Sequence, residues 1–246
     1  MPVISATVTT ADGTCPVTLH TPDGAGPWPG VVLFVDAGGT RDLMREMADR
    51  LAGYGYAVLV PDVYYRHGRW EPFDMRTVFG DPSERARLYR MIRSITPDMM
   101  ETDARAFFDF LQSRPEVKGD RFGVFGYCMG GRMSVTVAGR VPDRVAAAAS
   151  FHAAGLVTDD PTSPHLLAER IKATVYVAGA QDDDGFTPAH AETLGKALTD
   201  AGVEHTIEFY PAGHGFAVPD NLPYDEQAAE RHWDALRALF DRELSG

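Results

Sequence analysis

Short runs of apolar and β-branched residues alternate along the chain with stretches in which apolar residues return every three or four positions. The first two runs, "ISATVTT" and "CPVTLH", flank the turn "ADGT" and predict an antiparallel hairpin. The Pro/Gly-rich "TPDGAGPWPG" resets the chain, and "VVLFV" (31–35) then reads as a buried strand. Residues 41–53 have helical spacing, with Leu43, Met47 and Leu51 on one face, and "YAVLVPD" is a strand ended by Pro61. Further on, Met100, Ala104, Phe107, Phe108 and Leu111 form a core-facing helical stripe. The strand "RFGVFG", a helix over 129–139 and the strand "VAAAASF" follow. Next come "ATVYVAGA", a helix over 188–201 and "HTIEFYP" as the last strand. A closing helix over 225–243 carries Ala229, Trp233, Leu236 and Phe240 on one face.

Such alternation predicts an α/β protein, with a mostly parallel, twisted sheet of about eight strands and helices on both faces. No repeat, low-complexity tract or linker interrupts it, so residues 1–246 read as a single domain. Residues 64–97 are the exception. They show no strand period and carry seven arginines against four acidic residues, the pattern of a lid or pocket-lining excursion.

Charge and cysteine content narrow the setting. A formal net charge of −12 disfavours nucleic acid or an anionic membrane surface as a partner. No apolar run is long enough to span a bilayer, and "MPVISATVTTADG" lacks the basic and apolar regions of a secretory signal. Two distant cysteines make no disulfide framework, so a reducing, cytoplasmic setting with free thiols is expected.

One of those thiols stands in "FGYCMGG" (125–131), where a strand gives way to a helix. This is the G-x-nucleophile-x-G pattern of a nucleophile elbow, with cysteine where serine is commoner. Flanking glycines leave room for a strained turn, the helix N-terminus favours a thiolate, and the Met129 backbone N–H faces a nascent oxyanion. As a bare pattern it equally describes a turn holding a buried structural cysteine. A nucleophile would need an acid and a base downstream. "VYVAGAQDDDGFTP" supplies three consecutive aspartates at a strand end, and "EFYPAGHGFAVPD" supplies His214 between two glycines after the last strand. Cys128 is therefore the candidate nucleophile and His214 the candidate general base.

Together these residues resemble the dienelactone hydrolase family. The similarity runs from about residue 16 to 241. It is carried by "GYCMGG", "GHGF", "GAQDDDGFTP", "DAGGTRDLMREMADRLAGYGYAVLVPD" and "FHAAGL". The resemblance implies an α/β-hydrolase fold and a Cys-His-Asp triad that cleaves a small ester, lactone or enol-lactone through a thioester acyl-enzyme. The spacing to "GFTP" in similar sequences selects Asp183, which is taken as the acid, whereas counting from Gly179 selects Asp182; Asp184 is a solvated neighbour or a helix cap. Family members place an acidic residue near the nucleophile at the position of Asp36, which here could instead pair with Arg41. The Ala37 backbone N–H becomes the second oxyanion donor. Val218 stands where a family arginine grips the dienelactone carboxylate, and Arg85 is the nearest match to the other, unless it belongs to a solvated helical face with partners such as Glu84.

Other polar residues carry less. Cys15 reads as structural and His152 as a possible pocket liner. His20, His67, His165, His190, His205 and His232 read as surface residues. No metal-ligand spacing or dinucleotide fingerprint is present, so no cofactor or metal is expected. The expected partner is a small ester or lactone, and the chain a monomer or small homo-oligomer. A thioesterase, an acyl-transfer enzyme and a non-catalytic binding protein are the competing readings.

Overall fold

The structure, a computed structural model, describes residues 1–244. It opens with the hairpin of β1 (Val3–Thr10) and β2 (Gly13–His20). Then follow β3 (Trp28–Phe34), α1 (Asp42–Gly53), β4 (Ala57–Pro61), α2 (Pro82–Ser94), α3 (Pro97–Gln112) and β5 (Val117–Tyr127). The second half contains α4 (Met129–Arg140), β6 (Val145–Phe151), β7 (Thr174–Ala180), α5 (Pro188–Asp200), β8 (His205–Tyr210) and α6 (Glu226–Glu243). Short 3-10 turns at Tyr65–His67 and Pro164–Arg170 complete the chain. One eight-stranded sheet runs β1-β2-β4-β3-β5-β6-β7-β8, antiparallel as far as β4 and parallel from there on.

The period of two along β5 explains the layering. Phe122 stacks on Phe108 of α3, and Gly126 lies against Gly130 of α4. Gly123 and Phe125 face Phe240 of α6 instead, and the Tyr127 hydroxyl meets His232 of the same helix. Helices thus cover both faces, and the central strands are apolar throughout because neither side meets water. Each fully buried aromatic contributes roughly 1.5–3 kcal/mol of apolar burial.

Several elements depart from the sequence reading. The third strand starts at Trp28 rather than residue 31, and β5 starts at Val117, both set by pairing between Trp28 and Val117. The face of α1 that is buried centres on Met44, Met47, Ala48 and Leu51, leaving Leu43 partly exposed. Residues 64–97 hold a full helix, α2, which Asp81 caps by accepting from the Ser83 and Glu84 N–H groups. His20 and His232 are buried, not surface, residues: His20 bonds Asp49 and Thr18, and His232 lies under the sheet. Asp184 is exposed, and α5 is capped by Thr187 and His190. No helix among the described residues is long and apolar enough to cross a membrane.

Candidate active site

Cys128 sits between β5 and α4 at φ 52°, ψ −115°, a conformation that non-glycine residues rarely occupy. The surrounding lattice of short contacts holds it there. Its N–H donates to Phe151 O (3.0 Å), and its carbonyl accepts the Arg132 N–H (3.3 Å). Gly126 and Gly130 are dictated by space, since a Cβ at Gly126 would lie 2.4 Å from Gly130 backbone atoms and one at Gly130 only 2.0 Å from Phe34 O. As the first residue of α4, Met129 has an N–H without an intrahelical acceptor.

The loops after β7 and β8 bring two partners to the thiol. His214 Nε2 is 3.1 Å from Cys128 Sγ, and its Nδ1 donates to Asp183 Oδ2 at 2.6 Å. Asp183 Oδ1 accepts the Gly185 N–H at 2.8 Å, which fixes the carboxylate against the ring. Of the three aspartates, Asp183 is the one in contact with His214, while Asp182 and Asp184 face solvent. Burial by itself would lower the His214 pKa. The hydrogen bonds to Asp183 and then Cys128, with the negative charge of both, outweigh it and raise the value to about 10. Burial pushes Asp183 up, but His214 and the Gly185 N–H together bring it below the usual carboxylate value.

Asp36 does not hydrogen-bond the thiol. Arg41 holds it bidentately (Nη1–Oδ1 2.7 Å, Nη2–Oδ2 2.9 Å), with the Gly38 N–H on Oδ1 at 2.9 Å. The same guanidinium reaches Asp220 at 2.6 and 2.7 Å, so one buried arginine ties the end of β3 to the loop that carries His214. The pairing with Arg41 is therefore the arrangement present. Asp36 still lines the cavity beside Cys128, and Asn221 Nδ2 reaches it at 3.4 Å. The Ala37 N–H has no acceptor among the described residues, and the buried Tyr64 hydroxyl donates to Ala37 O at 3.0 Å. Tyr64, Arg41, Asp220 and Asn221 are supports the sequence reading did not single out as a set.

A cavity of about 480 Å³ opens onto Cys128, Met129, Ala37 and His214, walled by Leu88 and Ile92 of α2. The 64–97 segment is thus pocket-lining. Val218 is buried, and Arg85 is exposed with its guanidinium on the carbonyl of the cavity-lining Phe79, while Glu84 pairs with Arg87. A smaller chamber of about 300 Å³ touches Cys128 from the side of Asp36, His152 and Leu222. Cys15 is buried between Pro16 and Asp62 carbonyls, and burial pushes its thiol pKa far up.

His152 is fully buried at φ 40°, stacked on Tyr127 and edge-on to His214 at 5.3 Å, with neither ring nitrogen partnered among the described residues. Burial, then the charges of His214 and His232, pushes its pKa well down. His232 donates from Nδ1 to Ala229 O and accepts from the Tyr127 hydroxyl; burial lowers it to about 3. Both rings are therefore neutral in the folded chain, whereas the unfolded chain protonates them below about pH 6.5. Stability must fall as pH drops below that value, by up to about 1.4 kcal/mol per pH unit for each ring. His214 has the opposite sign: its contribution is complete below pH 6.5 and is lost as pH rises towards 10. Denaturant unfolding across pH 4.5–10 should give a maximum near neutrality. His152→Gln or His232→Gln should each remove about half of the acid slope, and a flat acid limb would contradict this accounting.

A mostly parallel eight-stranded sheet between two helical layers, turning at a strained cysteine into α4, defines an α/β-hydrolase. The chain belongs to the dienelactone hydrolase family, whose model matches residues 15–244. It is 29% identical over 231 residues to a Synechocystis protein described as "Putative carboxymethylenebutenolidase", covering 92% of this chain and 91% of that one. Among solved structures, m3DLH superposes with a TM-score of 0.83 at 29% identity, covering 99% of this chain and 98% of the other. A dienelactone hydrolase-like promiscuous phosphotriesterase from metagenomic libraries matches at 0.76 and 27%, over 99% of both chains. The protein is accordingly a hydrolase of the ester- and lactone-cleaving type.

Proposed function

We propose that this hydrolase cleaves a small ester, lactone or enol-lactone by nucleophilic catalysis at Cys128, with His214 as acid and base and Asp183 as its orienting carboxylate. The observation that carries it is the 3.1 Å approach of His214 Nε2 to Cys128 Sγ at the floor of the cavity. A histidine that keeps its proton to about pH 10 sets a positive charge beside the attacking sulfur. The thiolate attacks the carbonyl carbon, forming a C–S bond while the carbonyl electrons move onto oxygen. The N–H groups of Met129 and Ala37 receive that oxyanion, an interaction worth about 2.7–4 kcal/mol per donor at comparable sites. Collapse breaks the C–O bond, and His214 Nε2–H protonates the leaving oxygen; in a lactone that oxygen stays tethered to the acyl group. His214, now neutral, takes a proton from water, the hydroxide attacks the thioester, and the C–S bond breaks to release the acid.

Asp183 stabilises the imidazolium and holds Nδ1–H so that Nε2 faces the sulfur. Asp36, fully engaged by Arg41 and the Gly38 N–H, acts by holding the Ala37 loop. Trapping tests the scheme. Prolonged exposure of His214→Ala protein to 4-nitrophenyl acetate at about pH 9 should leave an acetyl group on Cys128, seen by peptide mapping as a 42-dalton adduct, because an ordinary cysteine still attacks an activated ester there while deacylation has lost its base. Absence of any adduct in both wild type and variant, with ester turnover intact, would overturn the covalent route.

A further inference from the structure

We infer that the chamber of about 300 Å³ beside Cys128 is an alcohol subsite, and that Phe79 and Leu222 set its specificity. The substrate is then an open-chain ester whose alcohol part carries an apolar group about the size of a phenyl ring. This rests on the hydrolase reading above and narrows it, because the leaving oxygen of a lactone stays tethered to the acyl group and needs no chamber of its own. The direction of the chemistry assigns the two chambers. Both reach Cys128, Ala37 and His214, but Met129 borders only the larger, while Gly215, Asn221 and Leu222 border only the smaller. With the oxyanion on the Met129 and Ala37 N–H groups, the other two substituents of the tetrahedral carbon must run away from the sulfur in different directions. One of them is the leaving oxygen, which has to come within hydrogen-bond reach of His214 Nε2 to be protonated. The alcohol part therefore lies on the side of the His214 loop, in the smaller chamber. The acyl part takes the larger one, against Leu88 and Ile92.

The walls of the smaller chamber suit an apolar occupant. The polar residues found there and not in the larger cavity offer it little. Asp36 is taken up by Arg41 and the Gly38 N–H, Asn221 Nδ2 turns to Asp36, and both ring nitrogens of His152 are buried. Met75, Phe79, Leu222 and Pro223 supply apolar surface. Leu222 is 78% exposed and Phe79 48%, which makes Leu222 the barest large apolar side chain among the described residues. A single exposed leucine is ordinary, but two large apolar side chains left bare at the rim of a reactive chamber mark a ligand surface. Both stand on anchored backbone. Leu222 follows Asp220, clamped by Arg41, and Asn221, whose N–H donates to Val218 O, while Phe79 O accepts from Arg85. Size agrees as well. An apolar cavity of about 150 Å³ is enough to take up benzene, so a chamber of about 300 Å³ holds a ring and its tether.

The test compares 3-phenylpropyl butyrate with propyl butyrate, which share the acyl part and a primary alkyl oxygen and differ in the phenyl group. Wild type should favour the phenylpropyl ester in kcat/KM by about 10- to 100-fold, the scale of burying a phenyl group. Phe79→Ser/Leu222→Ser should bring the ratio close to unity, and Leu222→Met should keep most of it. Both positions are exposed, so the fold is not at stake. Acyl selectivity is the counterpart: the ratio of 4-nitrophenyl hexanoate to 4-nitrophenyl acetate should hold in the double serine variant and shift in Ile92→Ser, which alters the larger cavity. Calorimetric binding of 3-phenylpropan-1-ol to Cys128→Ala protein, lost when both serines are added, reads the subsite without turnover. Equal kcat/KM for the two butyrates, both cleaved through Cys128, would overturn the subsite and leave the hydrolase reading standing. A double serine variant that changed the acyl ratio and not the alcohol ratio would overturn it too. Binding of the alcohol that depends on Phe79 and Leu222, with neither ester cleaved, would do the reverse, and both readings fall if the alcohol does not bind either.

Discussion

Replacing Cys128 with alanine is expected to lower kcat/KM for an activated ester by about 10⁴-fold or more, the scale seen when a nucleophile is removed from a triad. Folding should hardly change, because the side chain makes one hydrogen bond, to His214, and leaves the elbow's backbone contacts in place. Cys128→Ser is the sharper case. It keeps an attacking atom at the elbow but removes the sulfur whose hydrogen bond and charge help hold His214 protonated to about pH 10. His214 should then titrate at a lower pH, still supported by Asp183, and the serine hydroxyl will need it as a true base. Activity is expected to fall by roughly 10²-fold or more, with its remaining pH dependence following the lowered His214 value. NMR titration of His214 in the two proteins checks the pKa, and the pH–rate profile checks its consequence. Alanine protein that retains wild-type turnover would end the nucleophile assignment, and an unchanged His214 titration in the serine variant would end the sulfur's part in holding the His214 proton. Thiol-reactive labelling gives an independent reading, since Cys128 is partly exposed and Cys15 is buried with its thiol pKa pushed far up.

The sequence reading placed eight strands in the order in which they occur because two-residue and 3.6-residue periods differ most where burial is most one-sided. It gave α2 no bounds, only a solvated helical face at Arg85, for a physical reason. That helix buries only Leu88 and Met91, and its arginines hide the apolar period, although "DPSE" (81–84) is a helix-start signal with Asp at the cap and Pro next to it. The same failure hid the site's far wall, since Ile92 and Arg93 come from α2. Cys128, His214 and an Asp-rich loop were visible as types in an expected order; that Asp183 is the one touching the imidazole is a matter of loop conformation, which three identical neighbours cannot encode by composition. Arg41 and Asp220 stand 179 positions apart, and only the assembled fold brings them together. His20 and His232 were misread because a polar type on a predicted helix or hairpin face says nothing of a partner elsewhere in the chain.

Gly130→Ala should be the most damaging small substitution outside the triad, costing about 3 kcal/mol or more of the roughly 5–15 kcal/mol that holds a typical domain together. The added Cβ would lie 2.0 Å from Phe34 O, 2.5 Å from Val35 O and 2.6 Å from Phe34 C, all backbone atoms with no rotamer to yield. Neither partner can retreat. β3 is locked between β4 and β5, with Phe34 paired to Gly126, and α4 is held by the same close contact at Gly126. Any relief must push the end of β3 outward, and that strand leads directly into Asp36 and Ala37. Its displacement would carry the Ala37 N–H away from the oxyanion and loosen the Arg41 clamp on the His214 loop. Loss of activity should therefore exceed the loss of folded protein, which comparing kcat per folded molecule with urea unfolding would reveal. Gly53→Ala is the matched control: it ends α1 with nothing within 4 Å of a new Cβ, and should be neutral or stabilising by about 0.5 kcal/mol. If Gly130→Ala unfolded within 1 kcal/mol of wild type with kcat intact, β3 and α4 would have slack at their closest contact, and the elbow would owe its strained cysteine to something other than their packing.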